Sequence, residues 1–253
     1  MLSKNNISLI TSLHHKKFRK KEGMFIAEGE KVCRELIHSG WPVAAVYITE
    51  KFKNEKFIRW VKKVNAEIIS EKDFEKISAL TTSPEILVVA KIPERVLDLT
   101  LLKHKLSIVL DEIKDPGNLG TILRIADWFG IENVICSETC ADAFNPKTVQ
   151  ASMGSLFRVN VFYSSLDLIL KSARDQDMDV YGTMLEGENI YTAEVRQEGL
   201  IVFGSESHGI SEKLFPFINQ RISIPSFSST EYKAESLNAA MAAAIVCSEF
   251  RRR

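Results

Sequence analysis

The stretch LDEIKDPGNLGTILRIADWFGI, residues 110–131, joins an apolar run to a helical pattern through Asp115-Pro116-Gly117-Asn118. From Leu119, apolar residues at Ile122, Leu123, Ala126 and Phe129 fall on one helical face. Gly120 and Arg124 are four apart and share the other side, where Gly120 leaves space because it has no side chain. In an α/β fold, such a strand–turn–helix sits where a ligand binds. Its glycine spacing matches neither G-x-G-x-x-G nor the phosphate loop G-x-x-x-x-G-K-[ST]. Two readings stand for Asn118 and Arg124. They could hold a phosphate or ribose at the helix N-terminus, where free N–H groups and the dipole favour anions. Equally, Asn118 could be a simple cap and Arg124 a surface cation.

Outward from this stretch, short apolar segments alternate with helical patterns. Strands are expected at Ser107–Ile113, Asn133–Cys136, Val159–Tyr163, Val180–Met184, Leu200–Gly204 and Arg221–Ile224. Apolar strands separated by helices imply a mainly parallel sheet covered on both faces. Before a break near residues 91–104 lies a smaller α/β pattern. It has extended pieces at Met24–Ala27, Val43–Ile48 and Ile86–Ala90, and helices opening at Glu28-Gly29-Glu30-Lys31 and over Glu55–Val64. The expected division is a domain at 1–95, a linker at 96–104 and a larger domain at 105–253.

Two further loops lie at strand ends. Gly204-Ser205-Glu206-Ser207-His208-Gly209 follows Leu200-Ile201-Val202, and its two glycines let the backbone turn around a carboxylate. Ser211 is placed to cap a short helix after it, and His208 to face solvent. Ile224-Pro225 leads through a polar stretch, 226–235, to Ser236-Leu237-Asn238 and an alanine-rich helix. Ser236 is the expected N-cap there.

With 253 residues, 45 % of them hydrophobic, the chain can build a sizeable core. Net charge is zero, which excludes a uniformly basic nucleic-acid binder but not a local patch. Two patches exist, His14-His15-Lys16-Lys17-Phe18-Arg19-Lys20-Lys21 and Arg251-Arg252-Arg253. No segment approaches the roughly 18 apolar residues of a membrane span, and no signal peptide is evident, so a cytoplasmic protein with reduced thiols is expected. Cys136 and Cys140 lack a second pair of ligands, the five histidines show no metal spacing, and there is no G-x-S-x-G elbow. No metal is therefore expected. The chemistry looks like a transfer that depends on positioning.

Together the loops resemble the three motifs of the SpoU (TrmH) family of RNA ribose methyltransferases. Asn118-Leu119-Gly120-Thr121-Ile122-Leu123-Arg124 is similar to motif one. Gly204-Ser205-Glu206-Ser207-His208-Gly209 is similar to motif two, and Ile224-Pro225 with Ser236-Leu237-Asn238 to motif three. Phe144-Asn145-Pro146-Lys147 and Ala151–Ser155 also resemble the family pattern, and residues 8–29 resemble its small RNA-binding domain. The loop from Ser226 to Glu235 is several residues longer than the family's usual link.

The resemblance implies a knotted α/β methyltransferase domain of the SPOUT class, with a mainly parallel sheet and a deep trefoil knot, joined to a small N-terminal α/β RNA-binding domain. It implies a homodimer and S-adenosylmethionine-dependent 2′-O-methylation of a ribose in structured RNA, ribosomal in preference to transfer RNA. It assigns catalysis to Arg124, Asn118, Glu206, Ser236 and Asn238. Asn118 would orient the hydroxyl or Arg124, and Glu206 would fix its loop and pair with an arginine. The cofactor would lie against Thr183, Gly204, Ile224 and Leu237, and RNA against Lys16, Lys17, Arg19, Asn145 and Lys147. A catalytically silent RNA-binding protein of the same fold is the alternative. A dinucleotide-dependent oxidoreductase, which the alternation alone suggests, lacks G-x-G-x-x-G.

Overall fold

Helices and strands are interleaved in a computed structural model that describes residues 2–52, 65–82, 84–230, 232 and 234–252. The first part carries α1 (Lys4–Ser12), α2 (Lys16–Glu22), β1 (Met24–Glu28), α3 (Glu30–His38), β2 (Val43–Thr49), β3 (Glu67–Ile69), α4 (Glu71–Ile77) and β4 (Ile86–Lys91). The second carries β5 (Leu106–Leu110), α5 (Pro116–Trp128), β6 (Asn133–Cys136), α6 (Pro146–Ser152), β7 (Asn160–Tyr163), α7 (Leu166–Asp175), β8 (Val180–Asn189), β9 (Gly199–Phe203), β10 (Gln220–Ser223) and α8 (Ala239–Arg252). The helix expected over Glu55–Val64 lies outside the described residues.

Two units result. One comprises 1–94 with 142–157, the other 95–141 with 158–253. The segment 142–157, grouped by sequence with the larger domain, thus belongs to the smaller unit. That unit has a four-stranded sheet in the order β1-β4-β2-β3, with β4 antiparallel to β1 and β2, and β3 parallel to β2. Helices α1 and α4 pack together over a core that includes Ile10, Leu13, Ile26, Phe74 and Leu87. Phe144 and Phe157 from the later segment join Phe25 and Trp41 in an aromatic cluster. Its ring centroids lie 5.1 Å apart for Phe25–Phe144 and 5.3 Å apart for Trp41–Phe157.

Within this unit Arg19 departs from its expected role. It is 2 % exposed, and its Nε and Nη2 donate to Asp142 Oδ2 at 3.0 and 2.6 Å while Nη1 donates to the Leu13 carbonyl at 2.8 Å. Buried and bonded to Asp142 and the Leu13 carbonyl, it is a structural cation and not an RNA contact. Lys16, Lys17 and Lys147 are exposed, whereas the Asn145 side chain is used to cap α6 by accepting the Lys147 N–H at 2.9 Å. Arg19→Ala strands the Asp142 carboxylate and is expected to cost about 3 kcal/mol in urea unfolding. Lys16→Ala and Lys17→Ala are expected to stay within about 0.5 kcal/mol. Equal effects from all three would refute this division of labour.

In the other unit six strands lie in the order β10-β8-β9-β5-β6-β7, every pairing parallel. The expected mainly parallel α/β sheet is therefore present. Strands β5, β6 and β9 are buried at every residue, which is why they read as largely apolar runs. The strand expected through Ile113 ends at Leu110, because the chain turns at Glu112, which adopts φ 57°. Strand β8 runs to Asn189, beyond the expected Met184, because Ile222 and Ser223 of β10 pair with Glu188 and Asn189 past a bulge.

Helix α8 packs on α5, with Ala239, Ala240 and Ala243 buried on the one and Gly120 buried on the other. Small side chains on both helices allow that approach. Arg251 closes the pair, donating from Nε to the Phe129 carbonyl at 2.8 Å and from Nη2 to that of Gly130 at 3.0 Å. Of the second basic patch, then, Arg251 serves the end of α5 and Arg252 pairs with Glu249 at 2.7 Å. All four cysteines are free and buried. Among the described residues no group of His, Cys, Asp and Glu could hold a metal, and no helix is long and apolar enough to cross a membrane.

Candidate active site

The carboxyl ends of β5, β9 and β10 carry the three loops singled out by sequence, all within the larger unit. After β5, Asp115 caps α5: its Oδ1 accepts the Asn118 N–H at 2.8 Å, and Pro116 occupies the first helical position. The cap is therefore Asp115, and the Asn118 side chain is released for another use.

That use joins the loops. Asn118 Nδ2 donates to Glu206 Oε1. Asn118 Oδ1 accepts from Asn238 Nδ2 at 3.0 Å. Asn238 Oδ1 in turn accepts the N–H groups of Ala240 and Met241 at 2.9 and 3.3 Å, which makes Asn238, and not Ser236, the cap of α8. Both ends of the Asn118 amide are taken, so it holds Glu206 and Asn238 and not Arg124. Glu206 has Asn118 as its partner in place of the expected arginine.

The loop after β9 closes on itself. Ser205 N donates to the Gly209 carbonyl at 3.0 Å, and Gly209 N to the Ser205 carbonyl at 2.9 Å. Gly204 is required here. A Cβ at that position would meet the Gly209 carbonyl carbon at 2.0 Å and Ile210 N at 2.2 Å. His208 is exposed, with Nδ1 2.7 Å from Ser207 Oγ. Ser211 begins a short 3-10 turn without a side-chain cap bond.

Sequence reasoning missed Asp111. It is 3 % exposed, and its Oδ2 accepts the Ser211 N–H at 2.8 Å, which pins the far end of the Gly204–Gly209 loop to the end of β5. The only available signal was an acid placed directly after a run of buried apolar residues.

The loops after β9 and β10, with part of β8, surround a cleft of about 830 Å³, whose wall does not include Asn118 or Asn238. Thr183, Gly204, Ile224 and Leu237, the four residues expected at the cofactor, all line it, together with Glu206 and Ser236. Phe203, Ile222 and Val246 add buried apolar surface to the wall. Thr183 is fixed by donating from Oγ1 to the Val202 carbonyl at 2.9 Å. An apolar floor edged by strand-end backbone and a few hydroxyls suits a flat heterocycle with a polar tail, so the residues fit the methyl donor. Arg124 stands apart. It is exposed on α5, outside the cleft's lining, and makes no hydrogen bond or ion pair among the described residues.

Residues 105–248 match the SpoU rRNA Methylase family. The chain belongs to that family. It is an RNA methyltransferase, and S-adenosylmethionine is its methyl donor. Residues 4–88 match the MRM3-like substrate binding domain. A Bacillus subtilis relative, the 23S rRNA (guanosine(2553)-2'-O)-methyltransferase RlmP, is 29 % identical over 94 % of this chain and 93 % of its own. Among solved structures, a TrmH-family protein from Porphyromonas gingivalis superposes with a TM-score of 0.86 at 37 % identity, covering 100 % of this chain and 99 % of that one. The SpoU methyltransferase AviRb of Streptomyces viridochromogenes, solved with AdoMet, gives 0.85 at 25 % identity, covering 99 % and 98 %.

Proposed function

We propose that this SpoU-family protein methylates a ribose 2′-hydroxyl in ribosomal RNA, in the cytoplasm, as a homodimer with a knotted methyltransferase domain. The Glu206–Asn118–Asn238 network carries the reading, because it ties Asn118 of motif one to motifs two and three, whose residues line the cleft. The named ribosomal activity of the Bacillus relative supports ribosomal over transfer RNA. The knot is supported by strand order: β9 lies between β8 and β5, while the later β10 returns outside β8 before α8 packs on α5.

When bound, S-adenosylmethionine supplies a methyl group already activated by its sulfonium. Thr183, Gly204, Ile224 and Leu237 hold it. What remains is to place one ribose oxygen against that methyl group, and positioning of this kind can supply roughly 7–11 kcal/mol of a barrier. Asn118 and Asn238 keep Glu206 and its loop in register for that task, and Ser236 completes the wall.

Arg124 grips the phosphate beside the target ribose and stabilises the 2′-oxygen as its proton passes to solvent water. A guanidinium has five donors and no acceptor, and loses its proton only above about pH 12, so it serves as a clamp in preference to a base. Because Arg124 is exposed and lies outside its own chain's cleft, the reading places it at the cleft of a second copy. Exposed Lys16, Lys17 and Lys147 hold RNA phosphates from the smaller unit.

The test is transfer of labelled methyl to ribosomal and transfer RNA fractions, followed by alkaline hydrolysis. The expected result is label in ribosomal RNA, in an alkali-resistant dinucleotide, since 2′-O-methylation blocks cleavage at that ribose. Label confined to transfer RNA would overturn the substrate, and label on a base would overturn the reaction.

A further inference from the structure

Phe227 and Tyr232 are 85 % and 93 % exposed, on the stretch between Pro225 and Ser236. Phe227 lines the cleft together with Ser226 and Ser228. Hydroxyl groups lie close to both rings along the chain. Ser228 Oγ lies 2.9 Å from Thr230 Oγ1, which donates to the Tyr232 carbonyl at 3.0 Å.

One exposed aromatic face at the cleft and a second five residues along the same loop, among hydroxyls, suit a flat, polar-edged partner. A nucleobase is such a partner, and only an unpaired nucleotide offers its face, because bases in a duplex already stack on one another. We propose that Phe227 and Tyr232 form a stacking platform for unpaired bases next to the methylated nucleotide. The substrate is then a loop, bulge or strand end, not a continuous duplex. The identity of the ligand rests on the ribose-methylation reading.

The test measures fluorescence anisotropy of a labelled mixed-sequence oligoribonucleotide, single-stranded or in perfect duplex, with the full-length protein. Wild type is expected to prefer the single strand. Phe227→Ala and Tyr232→Ala are each expected to weaken that binding about tenfold. Phe227→Trp and Tyr232→Trp should restore it, and Phe227→Leu should not. Affinity for S-adenosylmethionine, read by calorimetry, should stay within about twofold in Tyr232→Ala, whose ring is not part of the cleft wall.

Unchanged single-strand affinity in the alanine variants would overturn the platform. So would a loss of donor affinity in place of RNA affinity, which would make the loop a cover for the donor. A change in oligomeric state would also overturn it, assigning the rings to a contact between copies. If wild type labels no ribose while the ring variants still weaken oligonucleotide binding, the methylation reading fails and the platform survives. If wild type labels ribosomal RNA and the ring variants bind it normally, the platform alone fails.

Discussion

Arg124→Ala is expected to lower kcat for methyl transfer about 10³-fold while leaving S-adenosylmethionine affinity and Tm unchanged. The guanidinium is exposed and has no partner among the described residues, so its removal strands no buried charge and opens no cavity. What is lost is charge stabilisation at the reacting oxygen, an effect that typically amounts to 10²–10³ in rate. Arg124→Lys separates clamp from base. A lysine keeps the charge but not the paired donors, so a clamp predicts a partial loss with the pH profile in place. A base predicts a profile moved to lower pH, because an ammonium gives up its proton more readily than a guanidinium. A loss of donor affinity as large as the loss of rate in Arg124→Ala would remove Arg124 from the chemistry altogether.

Gly204→Ala should show the opposite signature, with stability and donor binding lost together. The added methyl group would lie 2.0–2.2 Å from backbone atoms of Gly209 and Ile210, distances no side-chain adjustment can relieve. Either the two backbone bonds between Ser205 and Gly209 must break or β9 must shift. Overpacking usually costs 1–3 kcal/mol. Here the obstacle is backbone, so about 3 kcal/mol or more is expected in urea unfolding. Because Gly204 also lines the cleft, S-adenosylmethionine affinity should fall at least about tenfold. Gly209→Ala is the control, should Gly204→Ala fail to fold. Its Cβ would meet nothing within 4 Å, and the cost is only that of holding φ +67°, about 1 kcal/mol. A Gly204→Ala protein with native Tm and donor affinity would show that the loop is not the rigid wall described here.

Much of the fold was legible because its signals are local. Fully buried parallel strands are largely apolar, so β5, β6 and β9 announced themselves as runs broken only by Ser107 and Asn133. Helix α3 announced its buried face through Val32, Leu36 and Ile37. The four residues expected at the cofactor line one cleft because strand ends in a parallel sheet converge on one edge. Cap assignments were less legible. Asp115 and Asn118, like Ser236 and Asn238, are pairs of good capping residues two or three positions apart, and local propensity cannot choose between them. The choice follows from where the chain enters the helix.

The amino-acid sequence by itself determined the α/β class, the parallel sheet, the family and the three loops, since each depends on residues close together in the chain. Only the tertiary structure decided which polar groups answer one another. Asn118 reaches Glu206 across 88 positions and Asn238 across 120, Arg19 finds Asp142 across 123, and Asp111 holds Ser211 across 100. A charged or amide side chain looks the same in sequence whether it is solvated or satisfied by a distant partner. A buried polar group must be paired to be tolerated, so folding alone converted Arg19 from an apparent RNA contact into a structural ion pair.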